Sequence, residues 1–206
     1  MDFFYAPHTC ALASHIALHD AGADFTPHRV DFRSQQQRSA DYLKINPKGR
    51  VPSLIVNGVV LTETPAILSY IAQRYPEADL APLDDPMAFA LMQSVMSYLC
   101  STLHVAHAHG MRGARWADEP EAIEAMKRKV PESVTNAWQI VEDMLVGPFV
   151  LGERYSVADP YLFTVARWME SDQVDLANFP RVVAHRERIG ERPSAQEALK
   201  TELGTV

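Results

Sequence analysis

Hydrophobic positions follow two different periods in the two halves of this chain. In the first half, short apolar runs between turn residues indicate strands, and apolar residues three or four positions apart indicate helices. The predicted elements are strands at 3–5, 25–32, 53–56 and 59–62 and helices at 11–21, 38–45 and 65–75. The first half therefore predicts the order β-α-β-α-β-β-α.

The dipeptide Asn57-Gly58 lies between the last two predicted strands. Both residues tolerate the positive φ angles of a two-residue turn, so a tight antiparallel hairpin is expected. Strands separated by helices pair in parallel through right-handed crossovers, which makes the predicted sheet a mixed one of four strands. This order of elements is typical of a thioredoxin-like domain.

The second half of the chain shows only helical spacing. Apolar residues recur at helical intervals through 92–103, 123–145, 162–169 and 180–189, and the last of these is the expected final helix. The sequence from Ser156 to Asp159 resembles a capping box before the third segment, with Asp in the place of Glu or Gln. We therefore expect an all-helical second domain.

Prolines and acidic residues are concentrated between Pro76 and Pro86, as is typical of an interdomain linker. The predicted fold class is α+β. Residues 1–78 are expected to form the thioredoxin-like domain, 79–86 the linker and 87–206 the helical domain.

Composition narrows the range of partners. The 206 residues are 47% hydrophobic and carry a formal net charge of -7 without a basic run, which argues against nonspecific binding of nucleic acid. No apolar stretch approaches the roughly 18 residues of a membrane span, and the start lacks the features of a signal peptide. Two cysteines give neither a disulfide framework nor a zinc motif, so a reducing cytoplasm is expected.

Cys10 stands between the first predicted strand and the first predicted helix. The positive end of the helix dipole favours a thiolate there and is expected to lower the pKa of the thiol. The alternative is that Cys10 is a buried cysteine that behaves as a small hydrophobic residue.

Three segments of the first half, YAPHTC at 5–10, NPKGRVP at 46–52 and TETP at 62–65, occur in an order and at intervals that resemble the glutathione transferase family. The sequence around Cys10 is similar to that of the bacterial beta class of this family. GERYSVADPYLFTVARW at 152–168 extends the resemblance over essentially the whole chain.

The resemblance implies a glutathione site in the first domain. Pro52 corresponds to a cis proline that turns the preceding backbone toward the ligand, so that the N–H and C=O of Val51 bind the cysteinyl part of glutathione. Glu63 is expected to pair with the γ-glutamyl ammonium, while Thr64 and the helix N-terminus bind the carboxylate. Gln35 stands where a lysine usually anchors the glycyl end. An ordinary trans proline, and a purely capping role for Glu63 and Thr64, are the alternatives.

The resemblance also implies which groups act on sulfur. Cys10 corresponds to a cysteine that lies beside the glutathione thiol and can form a mixed disulfide with it. Tyr5 corresponds to a nearby tyrosine that is not the principal activator. His104 corresponds to a histidine that reaches the site from the second domain, where a neutral imidazole can accept a thiol proton. A partly solvated helix histidine is the alternative for His104.

Four further residues are expected in a pocket for the second substrate: His8, Thr9, His107 and Trp168. A core position is the alternative for Trp168. A metal site formed by His104, His107 and His109 is not expected, because one straight helix does not bring all three rings to one face.

The chain is thus predicted to be a glutathione transferase, with glutathione as co-substrate and a hydrophobic electrophile as partner. The resemblance implies a homodimer. Conjugation at carbon and disulfide exchange through Cys10 both remain open. The alternative from another class is a noncatalytic ligand-binding or regulatory protein with the same fold.

Overall fold

A computed structural model describes residues 1–204. Four strands, β1 (Asp2–Tyr5), β2 (Thr26–Arg29), β3 (Ser53–Val56) and β4 (Val59–Thr62), form one sheet in the order β2-β1-β3-β4. β1 runs parallel to β2 and antiparallel to β3, and β3 and β4 form the predicted hairpin. The mixed four-stranded sheet is confirmed.

Nine helices of the described residues complete the fold. They are α1 (Ala11–Asp20), α2 (Ala40–Ile45), α3 (Thr64–Arg74), α4 (Pro86–Tyr98), α5 (His104–Arg112), α6 (Pro120–Met144), α7 (Ala158–Ala166), α8 (Pro180–Gly190) and α9 (Pro193–Leu203). From α4 to the end of α9 the only strand-type pairing is a pair of isolated bridges, so the α+β class is confirmed. The domain boundaries stay a prediction. Within residues 1–204, no helix has the length and apolarity to cross a membrane.

The prediction that α8 is the last helix was wrong, because α9 follows it. The buried face of α9 uses Ala195 and Ala198, whose small side chains give a weak hydrophobic signal. A proline at the first position of α9 supplies the start.

Helix α1 lies at the centre of the molecule. Its residues from Ala11 to Leu18 are all buried, including Ser14 and His15. Ala13 and Ala17 belong to the core beneath the sheet, whereas Leu12 and Ile16 pack with residues of α7, α8 and α9. A helix that is buried on every side joins the sheet to the helical half.

The segment between α3 and α4 is anchored along its length. Leu80 and Ala81 are buried, and the Leu80 carbonyl accepts a hydrogen bond of 2.8 Å from the amide of Val157. Arg154 pairs with Asp79. This stretch therefore holds the two halves together as a packed connection.

The capping-box-like sequence forms a buried network before α7. Asp159 is fully buried and accepts hydrogen bonds from the amides of Ser156 and Val150, both at 2.7 Å. His185 of α8 lies 2.9 Å from the same carboxylate. The Asp159 carboxylate therefore binds the turn before α7 and α8 at the same time.

The end of α9 is fixed to α1 by a buried contact. Nδ1 of His15 lies 3.0 Å from Oε1 of Glu202, and both side chains are 1% exposed. Burial raises the pKa of Glu202 to about 8 and lowers the pKa of His15 to about 4. The contact is therefore a neutral hydrogen bond that holds one proton between the two groups, and not an ion pair.

This contact predicts a loss of stability at alkaline pH. At pH 6.5 His15 of the unfolded chain is only half protonated and loses the rest at higher pH, whereas the folded pair keeps one proton on Glu202 until about pH 8. The free energy of unfolding should therefore fall by about 1–2 kcal/mol between pH 6.5 and 8.5. Urea unfolding monitored by tryptophan fluorescence measures it.

The Glu202→Gln variant keeps a neutral hydrogen-bonding side chain and should lose this slope. Glu197→Gln, an exposed change on the same helix, should keep it. Equal slopes for wild type and Glu202→Gln would contradict the assignment.

Candidate active site

Three predicted site residues converge at the start of α1. Cys10 immediately precedes the helix, is 8% exposed and donates its thiol hydrogen to the Val51 carbonyl at 3.7 Å. Thr64, the first residue of α3, is also buried, and its hydroxyl hydrogen-bonds the same thiol. Cys10 is free, as is Cys100.

The expected lowering of the Cys10 pKa was wrong. Burial raises the pKa of the thiol to about 11, and the hydrogen bond from Thr64 offsets only part of the increase. A helix dipole contributes about 0.3–1 kcal/mol, less than one pKa unit, so desolvation outweighs it. Cys10 is a neutral hydrogen-bond donor in this site.

The loop before β3 presents its backbone to the cleft. The Val51-Pro52 bond is cis, as expected. Tyr42 and Asn46 fix the preceding turn, since both donate to the Arg50 carbonyl, at 2.7 Å and 2.8 Å. Two buried side chains therefore fix the peptide bond between Arg50 and Val51.

Glu63 occupies an unusual backbone conformation just before α3. Its φ angle is 73°, a region that side chains rarely adopt, and such residues concentrate at binding sites. Nζ of Lys48 lies 2.5 Å from its carboxylate and 2.7 Å from Oγ1 of Thr62. Both charged side chains are about half exposed, so this ion pair forms the rim of the site.

Tyr5 and Gln35 are two further predicted site residues. The Tyr5 hydroxyl donates to the Thr201 carbonyl at 3.4 Å, and burial raises its pKa. Gln35 is exposed, and no hydrogen bond holds its side chain within residues 1–204. The geometry gives Tyr5 a role in docking α9.

The helical half contributes His104 through a local irregularity. A π-helical turn, Leu99–Leu103, separates α4 from α5, and His104 follows it directly. Burial lowers the pKa of His104 to about 4, with smaller contributions from His107, Arg115 and Arg50. The imidazole is therefore neutral at physiological pH.

Trp168 packs against two of the three histidines of α5, His104 and His107. Its ring lies 5.0 Å from the ring of His104 and stacks on His107 at 4.4 Å with an angle of 17° between the planes. The indole is 8% exposed and belongs to the main core, yet it also lines a cavity. Trp168 is therefore a core residue, as the alternative had it, and its role in binding a second substrate stays a prediction.

The cavity, of about 50 Å³, lies between the start of α1 and the end of α7. It is lined by His8, Thr9, Leu12, Thr164, Arg167 and Trp168. Thr9 precedes Cys10 and donates to the Ala6 carbonyl at 2.7 Å, which fixes the turn into α1. Three of the four residues expected in a second pocket thus share one cavity, and His107 packs against its wall.

The three histidines of α5 do not converge on one point. Nδ1 of His107 lies 2.7 Å and 2.9 Å from the two carboxylate oxygens of Asp172, and the ring of His109 packs against Trp116. Within residues 1–204, no group of three or more His, Cys, Asp or Glu side chains is placed to hold a metal ion.

Comparison with known proteins bears on this arrangement. Residues 3–73 match the family model for the glutathione S-transferase N-terminal domain, and residues 87–193 match the model for the C-terminal domain. The chain belongs to the glutathione S-transferase family. The resemblance found in the sequence is confirmed.

Similar members of the family include three bacterial proteins. Glutathione S-transferase GstA of Escherichia coli O157:H7 is 34% identical, over 98% of each chain. A glutathione transferase homologue from Sulfitobacter, solved with bound glutathione, is 44% identical with a TM-score of 0.94 over 97% of each chain. A beta-class glutathione S-transferase of Sphingomonas chungbukensis is 35% identical with a TM-score of 0.87 over the full length of both.

Sequence reasoning missed two residues of this glutathione S-transferase site. Lys48 lies inside NPKGRVP, one of the segments that resemble the family, but its partner Glu63 is 15 positions away in the sequence. Asp172 is separated from His107 by 65 positions and carries no motif of its own. Neither pairing has a local signal, because both depend on how distant elements pack.

Proposed function

We propose that this protein binds glutathione in the cleft at the start of α1 and joins it, through its sulfur, to electrophilic small molecules in a reducing cytoplasm. The observation that carries the proposal is the convergence of Cys10, the Val51 carbonyl and the N-terminus of α3. A detoxifying role is the corresponding physiological proposal.

Glutathione is proposed to lie along the loop before β3. Its cysteinyl amide would donate to the Val51 carbonyl, as a peptide strand does. Its γ-glutamyl carboxylate would accept from the free N–H groups at the start of α3, where Thr64 begins the helix. The ammonium group would take over the carboxylate of Glu63 from Lys48. Gln35 stays a weaker, uncharged candidate for the glycyl end.

The proposed chemistry places the negative charge on the glutathione sulfur. Cys10, a neutral thiol, would donate a hydrogen bond to that thiolate, and the site's low exposure strengthens such a bond. His104 would accept a hydrogen bond from the thiol, but its pKa of about 4 leaves the released proton to water. The thiolate then attacks carbon and the leaving group departs with the electron pair.

Replacing Glu63 by Gln should weaken glutathione binding at least about tenfold, because the ammonium loses its anionic partner. Isothermal titration calorimetry measures the dissociation constant. Glu77→Gln, an exposed change just beyond α3, should leave it unchanged. Wild-type protein that does not bind millimolar glutathione, or does not conjugate it to a chlorodinitrobenzene, would refute the proposed function.

Substitution of Cys10 separates a donor role from a covalent one. Cys10→Ser keeps a donor and should retain conjugation within about threefold, whereas Cys10→Ala should lower kcat about tenfold or more. Both variants should lose any disulfide reductase activity that needs a mixed disulfide at this position. Equal conjugation rates in all three proteins would remove Cys10 from the proposed mechanism.

We also propose a homodimer. On α4, Met87 and Leu91 lie one turn apart and are 70% and 57% exposed, while Met92 and Met96 are fully buried. Val59, on the edge strand β4, is 70% exposed as well. Exposed apolar side chains on an edge strand and a nearby helix face are typical of a subunit contact.

Light scattering should give a mass of twice the 23.0 kDa of one chain. Leu91→Glu should shift the protein toward the monomer, because it places a charge in the contact. Ile140→Glu, a change at an exposed residue of α6, should not. A monomeric wild type at micromolar concentration would contradict the proposal.

A further inference from the structure

A second cavity, of about 230 Å³, lies between the end of β2, the turn that follows β1 and the end of α9. Within residues 1–204 it is lined by residues 6–8, 29–33 and 202–203. None of the residues proposed to contact glutathione belongs to this lining. His8 is shared with the smaller cavity beside Trp168, so the two cavities are neighbours with separate walls.

The wall that α9 contributes carries a buried carboxyl group. The Glu202 side chain is 1% exposed, and its Oε1 atom lies 3.0 Å from Nδ1 of His15. Within residues 1–204, Oε2 has no hydrogen-bond partner, and it is not sealed inside the core. Because Glu202 lines the cavity, Oε2 is the oxygen that faces it.

The environment of the His15 ring places the proton of this carboxyl group. Nε2 of His15 is buried without a partner in the part of the chain that the structure describes. A buried N–H group without an acceptor is rarer than a buried acceptor without a donor, so Nε2 is bare and Nδ1 donates to Oε1. Burial raises the pKa of Glu202 to about 8, and its own proton then lies on Oε2. The cavity thus has an O–H donor at its inner wall.

The wall that β2 contributes is positively charged. Arg29 and Arg33 both line the cavity, and within residues 1–204 neither guanidinium group forms an ion pair. Asp31 lines it too, but its carboxylate accepts a hydrogen bond of 2.9 Å from the amide of Arg33 and is held by its own turn. Two unpaired guanidinium groups and one O–H donor therefore line the same cavity.

The size and the remaining lining limit the class of ligand. Guanidinium groups and an O–H donor suit a carboxylate, whereas Pro7, Phe32 and Leu203 offer apolar surface for a ring. Drug-sized ligands occupy roughly 300–1,000 Å³, so a smaller cavity takes a molecule of one or two rings.

We propose that this cavity is a second ligand site, which binds a small aromatic carboxylate through Arg29, Arg33 and the Oε2 hydroxyl of Glu202 and packs its ring against Phe32. No bond of the ligand forms or breaks. The inference goes beyond the proposed function, because this site needs no glutathione. An occupant would touch residues 6–8, the turn that leads to Cys10.

Binding at this site depends on the protonation of Glu202, because ionisation replaces an O–H donor with a charge that repels a carboxylate. His15 has a pKa of about 4 and burial raises the pKa of Tyr5, so both are neutral between pH 7.5 and 9. The arginines stay charged throughout this range. The groups that surround Glu202 and the cavity are Tyr5 of β1, His8, His15 of α1, Arg29 of β2, Asp31, Arg33 and Arg167 after α7.

The probe is 2-naphthoate, and isothermal titration calorimetry measures its dissociation constant. The dissociation constant should rise about eightfold from pH 7.5 to 9, as the protonated fraction of Glu202 falls. Glu202→Gln keeps an N–H donor at the wall, so it should still bind and change less than about twofold over the same range. His8→Gln should keep the pH dependence of the wild type.

Charge is tested by a matched pair of variants and by a neutral probe. Arg33→Gln should weaken naphthoate binding at least about fivefold, whereas Arg128→Gln, the same change at an exposed residue of α6, should not. The neutral 2-naphthamide should bind at least about tenfold more weakly than 2-naphthoate. Millimolar glutathione should leave the dissociation constant of naphthoate unchanged.

Three results would overturn the inference: no naphthoate binding at millimolar concentration, the same pH dependence in Glu202→Gln as in the wild type, or displacement of naphthoate by glutathione. The last of these would place the carboxylate in the proposed glutathione site. A protein that binds naphthoate as described but does not bind glutathione would refute the proposed function and support this site.

Discussion

The burial of α1 from Ala11 to Leu18 is the constraint on which the other features of this structure depend. A helix that is covered on all sides must use small residues where neighbours approach closely, and Ala11, Ala13 and Ala17 have no exposed surface. The sheet and α3 cover one side, and α7 and α9 cover the other. Because the helix cannot shift, the residues at its N-terminus are fixed relative to both halves of the chain. Cys10 meets Val51 and Thr64 there, and Thr9 meets Trp168 across the cavity.

Burial also decides the charge state of the groups around this helix. Cys10 is protonated, His104 is neutral and the His15–Glu202 pair shares a single proton. The Lys48–Glu63 pair, in contrast, lies at the rim, where water screens its charges. Cys10 and His104 therefore offer neutral hydrogen-bonding groups, and in the proposed site negative charge enters with the ligand.

Local sequence signals were sufficient to predict one hairpin of the fold and the family. Asn57-Gly58 fixes its hairpin through backbone angles alone, and the spacing of YAPHTC, NPKGRVP and TETP identified the family before any contact was known. The Cys10 pKa was misjudged because the dipole is a local property and desolvation is not. The strand period places Tyr5 on the same face as Phe3, and both rings pack against His15, so the core position of Tyr5 follows from the pleat of β1. Asp172 has no such signal, since its partner is set by the packing of α5 on the turn after α7.

The Val51 carbonyl already accepts the Cys10 thiol hydrogen before any ligand binds. A peptide-like ligand that aligns with this loop brings its own N–H to the same oxygen. When such a ligand binds, its N–H replaces the Cys10 thiol as the donor to this oxygen. The Val51 carbonyl is therefore hydrogen-bonded both before and after binding. Such an exchange contributes little net free energy. In the proposed binding mode, the discrimination between glutathione and other thiol peptides would therefore reside at the far end of the ligand, at Glu63 and the first turn of α3.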